Sequence, residues 1–228
     1  MTITTTRLTA AAGICAAVAG AIFIGVQIGH PDMDTTSIST TEVVIRNSLK
    51  ILMAALALAG ITGMYLSQVR RNGLLGLVGY LVLCTGYLLI MSSTYVTAYV
   101  LPSIAGTDPS YVKDVIAAST GDPVTGDLGA LGAVLQIQSL AYLAGGLLFG
   151  IALYRAGVLT RWAAVLLAVG GVITVVLSVM PDAFYRLLAW PNGIAMIGLG
   201  YSLWRARRTS NEALPTSVSA SRLEPVRV

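Results

Sequence analysis

The chain has 228 residues, 56% of them hydrophobic and 11% charged, with a net charge of +4 and a mean hydropathy of +0.80. A soluble domain carries roughly one-quarter charged residues, so this composition excludes one and reads as an integral membrane protein. Cys15 and Cys84 both lie in apolar runs, and neither a disulfide framework, a metal site nor a CxxC or paired-histidine haem centre finds its residues, so no cofactor is expected.

Six apolar segments have the length of about 20 residues that crosses a bilayer core. The first, Leu8 to Gly29, follows Arg7 but is too long for the h-region of a signal peptide. In the loop after it, Ser39 precedes Glu42 by three residues, a capping-box spacing that starts the second helix near Thr40, ahead of its apolar part from Lys50 to Val69. The tight turn VRRNG leads to the third segment, Leu74 to Leu101, which ends in the hydroxyl-rich stretch MSSTYVTAY. In the long loop from Pro102 to Asp127, Asp108 and Pro109 open a short helix through Ser119, and Gly121 ends it. The fourth segment is Leu128 to Tyr154, the fifth Trp162 to Met180, and the sixth Ala183 to Trp204. From Thr209 the chain is rich in Ser, Thr and Pro without apolar period, which reads as a disordered tail, 209–228, after a membrane domain, 1–208. The expected fold is all-α, a polytopic bundle of six transmembrane helices.

Charge assigns the sides. Arg7, Arg70, Arg71, Arg155, Arg161 and the five tail arginines fall on one side of a six-helix topology, which places both termini in the cytoplasm and the protein in the cell (plasma) membrane. The other side holds most of the acids, from Asp32 and Glu42 to Asp127 and Asp182. Small residues at helix-contact spacing, Ala12, Ala16 and Gly20, Ala55, Ala59 and Gly63, and Gly146 and Gly150, let neighbouring backbones approach closely. No repeat between the halves marks an inverted-repeat transporter.

Intramembrane polar residues gather in the outer half. A polar group facing hydrocarbon without a partner costs a few kcal/mol, so those of several helices at one depth face one another or water, and an outward cavity is expected. Its lining is expected to come from Arg46 on the second helix, Tyr87, Ser92, Tyr95 and Tyr99 on the third, Gln136 and Gln138 on the fourth, and Trp190 and Asn192 on the sixth. Plainer readings stand beside these. Glu42, Arg46 and Lys50 form an i,i+4 ladder, Tyr99 and Trp190 belong to an interfacial belt, and the serines bond their own backbone. His30, before Pro31 at a helix end, reads as a turn residue.

The segment from Leu135 to Val172, LQIQSLAYLAGGLLFGIALYRAGVLTRWAAVLLAVGGV, and the region HPDM through EVVIRNSLKI resemble six-helix actinobacterial integral membrane proteins of unknown function, which implies a fold and no activity. With Glu42 and Asp182 at helix starts, the chain also resembles small membrane-integral terpene cyclases, which implies an acid that protonates an isoprenoid.

Two functions follow from the residues. In the first, the outer pocket binds a membrane lipid or other hydrophobic small molecule in a non-enzymatic role, with a membrane-protein partner or a second copy as possible neighbours and no nucleic acid. In the second, a cofactor-free terpene cyclase uses Glu42, Asp127 or Asp182 as its acid, and Tyr87, Tyr95, Tyr99 and Trp190 steady the developing cations.

Overall fold

The computed structural model describes residues 4–178, Leu187 and 189–212. Among these residues the chain is all-helical. The helices are α1 (Thr5–Gly25), α2 (Thr41–Ser67), α3 (Val69–Tyr95), α4 (Pro109–Thr120), α5 (Ala130–Ala156), α6 (Arg161–Ser178) and α7 (Ala189–Glu212). Helix α3 runs on through a π-helical turn, Val96–Val100, and one further turn, Leu101–Ile104. Four helices are long and apolar enough to cross a membrane: α1, α2, α3 with its extension, and α5. Helix α7 continues to Glu212, four residues into the segment read as a tail.

The six long helices form a closed circuit. Each packs on the next in the order α1, α2, α3, α5, α6, α7, and α7 returns to α1. Lipid gives helices no hydrophobic reason to associate, so close backbone approach at small residues carries the packing. A Cβ on Gly13 of α1 would lie 2.7 Å from the carbonyl of Gly200 on α7, and one on Gly150 of α5 would lie 2.6 Å from the backbone nitrogen of Ala168 on α6. On α2 the expectation holds at Gly63, which is buried against Ala12 of α1, and fails at the other two positions. Ala55 and Ala59 are exposed, whereas Ala54, Ala57 and Gly60 are buried, and a Cβ on Gly60 would lie 2.6 Å from that of Ala16. One residue is about 100° on a helix, enough to exchange the lipid and core faces. Larger side chains fill the centre, among them Met53, Met64, Leu83, Phe149 and Met196.

A second, smaller core sits at one end of the bundle, where Ile38, Leu101, Val112 and Val115 are buried together. It seats α4 as a cap against the extension of α3, the start of α5 and the 3-10 turn before α2. Local chemistry sets this helix as the sequence predicts. The carboxylate of Asp108 accepts from the Tyr111 N–H at 3.0 Å, Pro109 occupies the first turn, and Gly121 ends the helix at φ +88°. Helix α2 starts where expected, but its cap is Thr40, whose hydroxyl accepts from the Val43 N–H, while Ser39 closes a 3-10 turn.

The loop beyond α4 is tied back by Asp114. Its carboxylate accepts from the N–H and hydroxyl of Thr125, each at 3.0 Å, and from the Gly126 N–H at 2.9 Å. The backbone bond from Thr125 is the chief reason that the Asp114 carboxyl is held below its usual pKa, and the Tyr111 N–H does the same for Asp108.

Candidate functional site

A cavity of about 470 Å³ lies between this cap and the helix ends. Its walls are built element by element.

Helix α1 stops at Gly25, and the turn after it carries Gln27 and His30 into the cavity. A helix end leaves carbonyls without partners, and here Arg46 of α2 collects them. Its Nη1 donates to the carbonyls of Val26 and Ile28 at 3.0 Å each, its Nη2 to that of Gly29 at 3.1 Å, and its Nε to the Glu42 carboxylate at 2.9 Å. The guanidinium thus fixes the segment that holds His30, and a cation at a helix C-terminus suits the helix dipole.

His30 is buried. Its Nδ1 lies 2.7 Å from the Pro31 carbonyl, which only accepts, so Nδ1 carries the proton. In the neutral ring Nε2 then presents a lone pair to the Lys50 ammonium at 3.3 Å. Asn47, one turn before Lys50 on the same face of α2, is 2% exposed. Its Nδ2 has no hydrogen-bond partner among the described residues.

Helix α3 contributes Ser93, Thr94 and Thr97, and α5 contributes Gln138. The Ser93 hydroxyl donates to Gln138 Oε1 at 2.7 Å, which leaves the Gln138 amide NH₂ as a donor. The cap closes the space with Val115, Ile116 and Ser119, and Asp32 and Asp122 stand in the surrounding loops. Burial sorts these groups by depth. Asn47 and His30 are buried and Lys50 and Gln138 half-buried, while Asp32 and Asp122 are exposed.

The residues expected from sequence divide. Gln138 lines the cavity, and MSSTYVTAY contributes through its other face. Ser92 is exposed and donates to the Leu88 carbonyl at 2.9 Å. Tyr95 and Tyr99 are exposed, edge-on at 5.0 Å, with the Tyr99 hydroxyl 2.8 Å from that of Ser48. Tyr87 is buried in the main core, edge-on to Tyr142 at 5.4 Å. Gln136 and Trp190 are exposed. Asn192 is 3% exposed and packs on Gly170, away from the cavity lining.

Glu42 and Arg46 face a shallow apolar groove between α1 and α2, formed with Ile22, Val26, Ile45 and Leu49. The i,i+4 ladder therefore exists only in its first rung, since Lys50 turns to His30. Asp127 is exposed, and its carboxylate accepts from the Gly129 N–H at 2.7 Å. Asp182 lies outside the described residues.

His30, Asn47 and Lys50 line the cavity, although His30 was expected only as a turn residue and Lys50 only as part of an i,i+4 ladder. The usable signal was spacing: Val43, Asn47 and Lys50 share one face of α2, and Val43 is buried. Among the described residues no three His, Cys, Asp or Glu side chains converge as a metal site. Comparison with protein-family models, curated proteins and solved structures returns no match, so the functional argument rests on the site itself.

Proposed function

We propose that this chain is a six-span protein of the plasma membrane with both termini cytoplasmic, and that the cavity under α4 opens outward and binds a lipid or small amphiphile without converting it. The sorting of arginines and acids by loop supports the orientation. The observation that carries the binding role is Asn47, a buried amide whose two donor hydrogens lack a partner among the described residues and which lines a cavity large enough for a headgroup. An orphaned buried donor costs about 1–3 kcal/mol, and a ligand that supplies an acceptor offsets that cost.

The cyclase reading draws no support from this geometry. Among the described residues the lining contains no Phe, Tyr or Trp to steady a carbocation. Glu42 is ion-paired outside the cavity, and Asp127 stands in solvent.

Thiol labelling in whole cells tests the proposal. In a Cys15→Ala, Cys84→Ala background, Thr97→Cys should react with a membrane-impermeant maleimide added from outside, and a short-chain phospholipid should slow that reaction at least tenfold. A cysteine at Thr97 that is unreactive, or that reacts at an unchanged rate with lipid present, overturns it.

A further inference from the structure

The hydrogen-bonding groups around the cavity divide into spent and unspent. The charged groups deep in the lining are engaged within the protein: Lys50 meets His30 Nε2 at 3.3 Å, His30 Nδ1 meets the Pro31 carbonyl, and Asp32 has a partner too. The hydroxyls of Ser93, Thr97, Ser119 and Thr120 donate to Gln138 Oε1, the Ser93 carbonyl, the Val115 carbonyl and Asp122 Oδ2.

What is left unspent is neutral, and it comes from four elements. Asn47 on α2, 2% exposed, keeps its amide hydrogens, and Gln138 on α5 keeps its NH₂ after accepting from Ser93. Gln27 after α1 and Thr94 on α3, both half-buried in the lining, make no side-chain hydrogen bond among the described residues.

The direction of these bonds selects the ligand. A phosphate or carboxylate only accepts, which leaves the Gln27 amide oxygen without a donor. It also brings a charge whose burial costs several kcal/mol, at a place where Lys50 is already in use. An ammonium only donates and leaves the amide hydrogens of Asn47 and Gln138 unanswered. A hydroxyl does both, and neighbouring hydroxyls on one carbon skeleton meet several such groups without bringing charge.

From this division, and resting on the binding role proposed above, we infer that the cavity takes an uncharged polyol headgroup, its hydroxyls bonded to Asn47, Gln138, Gln27 and Thr94. Leu101, Val115 and Ile116 give the ligand's carbons an apolar surface. The chemistry is shared by a glycolipid and by a free sugar.

Titration of the purified full chain in octaethylene glycol dodecyl ether, a detergent without sugar or charge, tests this. The probes are glucosyl dihexanoylglycerol, dihexanoyl phosphatidylcholine, dihexanoylglycerol and the acyl-free methyl glucoside. Binding is read by calorimetry and by protection of the Thr97 cysteine described above. The glycolipid should bind and protect at a concentration at least tenfold below that needed for the phosphatidylcholine or the dihexanoylglycerol. Comparable binding of methyl glucoside makes the free sugar the source, and its absence makes the lipid the source; either supports the headgroup assignment.

Asn47→Leu replaces an orphaned amide by an apolar side chain of similar volume. It should leave the melting temperature unchanged or higher while the glycolipid's advantage falls about tenfold, the loss of one well-made hydrogen bond. Gln27→Met, at the half-buried turn, should cut the advantage about threefold. An advantage that survives both substitutions overturns the inference. If the phosphatidylcholine or the dihexanoylglycerol binds and protects as well as the glycolipid, the headgroup assignment fails while the binding role stands; if no probe binds or protects, both fail.

Discussion

Replacing Arg46 by Met separates a clamp from an ordinary surface ion pair. The guanidinium holds three carbonyls at the end of α1, one of them half-buried, and also the exposed carboxylate of Glu42. A hydrogen bond from a charged group to a half-buried carbonyl is worth about 1.5 kcal/mol, and each of the two exposed ones about 0.5 kcal/mol once water competes. The Glu42 pair, solvated on the carboxylate side, adds about 0.3–0.5 kcal/mol.

Loss of Arg46 should therefore cost about 2.5–3 kcal/mol, and loss of the Glu42 charge less than about 0.5 kcal/mol. For a chain of this size that corresponds to a fall in melting temperature of roughly 5–10 °C for Arg46→Met against 1–2 °C for Glu42→Gln. Thermal unfolding in detergent, read by intrinsic fluorescence, measures both. Because the same carbonyls position His30, Arg46→Met should also weaken ligand binding while Glu42→Gln leaves it within twofold. Equal shifts for the two variants would refute the clamp and restore a simple surface ladder.

Other expectations follow from the same contacts. Gly150→Ala places a Cβ against the backbone of α6 and should destabilise by about 1–3 kcal/mol, whereas Gly146→Ala, whose Cβ would stand 3.5 Å from the Leu167 carbonyl, should be neutral or slightly stabilising in the same melt. Val112 is fully buried in the cap core, so Val112→Ala should raise hydrogen exchange in α4 about tenfold while the transmembrane helices keep their protection. The carboxyls of Asp108 and Asp114 are held below their ordinary value of 3.8, so the stability that they contribute is fully present above that value and lost as pH falls through the lowered ones. Cap protection, corrected for intrinsic exchange, should hold from pH 7 to about 5 and fall only below about 4; a loss confined to the range above 5 would contradict this assignment.

Long apolar runs and local caps were legible because their signals are one-dimensional. Hydropathy marks α1, α2, α3 and α5, and the residues Asp108, Pro109 and Gly121 mark α4 within a residue of its ends. Rotation about the helix axis was not legible in the same way. On α2 nearly every position is apolar, so Ala54 and Ala55 look equivalent until α1 is packed against one of them.

The same ambiguity governs MSSTYVTAY. The tyrosines suggested a wall, but buried Ala98 and half-buried Thr94 mark the inner face, and the π-helical turn from Val96 to Val100 shifts register within the stretch. The pairing of His30 with Lys50 spans twenty residues and depends on Arg46 holding the turn that leads into His30. No local pattern announces such a contact. Asn47 was visible as a polar residue in an apolar face, yet its unpartnered amide became apparent only after every neighbouring helix was in place.

Native mass spectrometry of protein extracted from its own membrane tests the central claim most directly. Wild type should retain one amphiphile per chain. Thr97→Trp, which fills the cavity, should lose it, and Ser92→Trp, on the outward face of the same helix, should keep it. An apo wild type, or equal retention by the two tryptophan variants, would contradict a ligand site beneath α4.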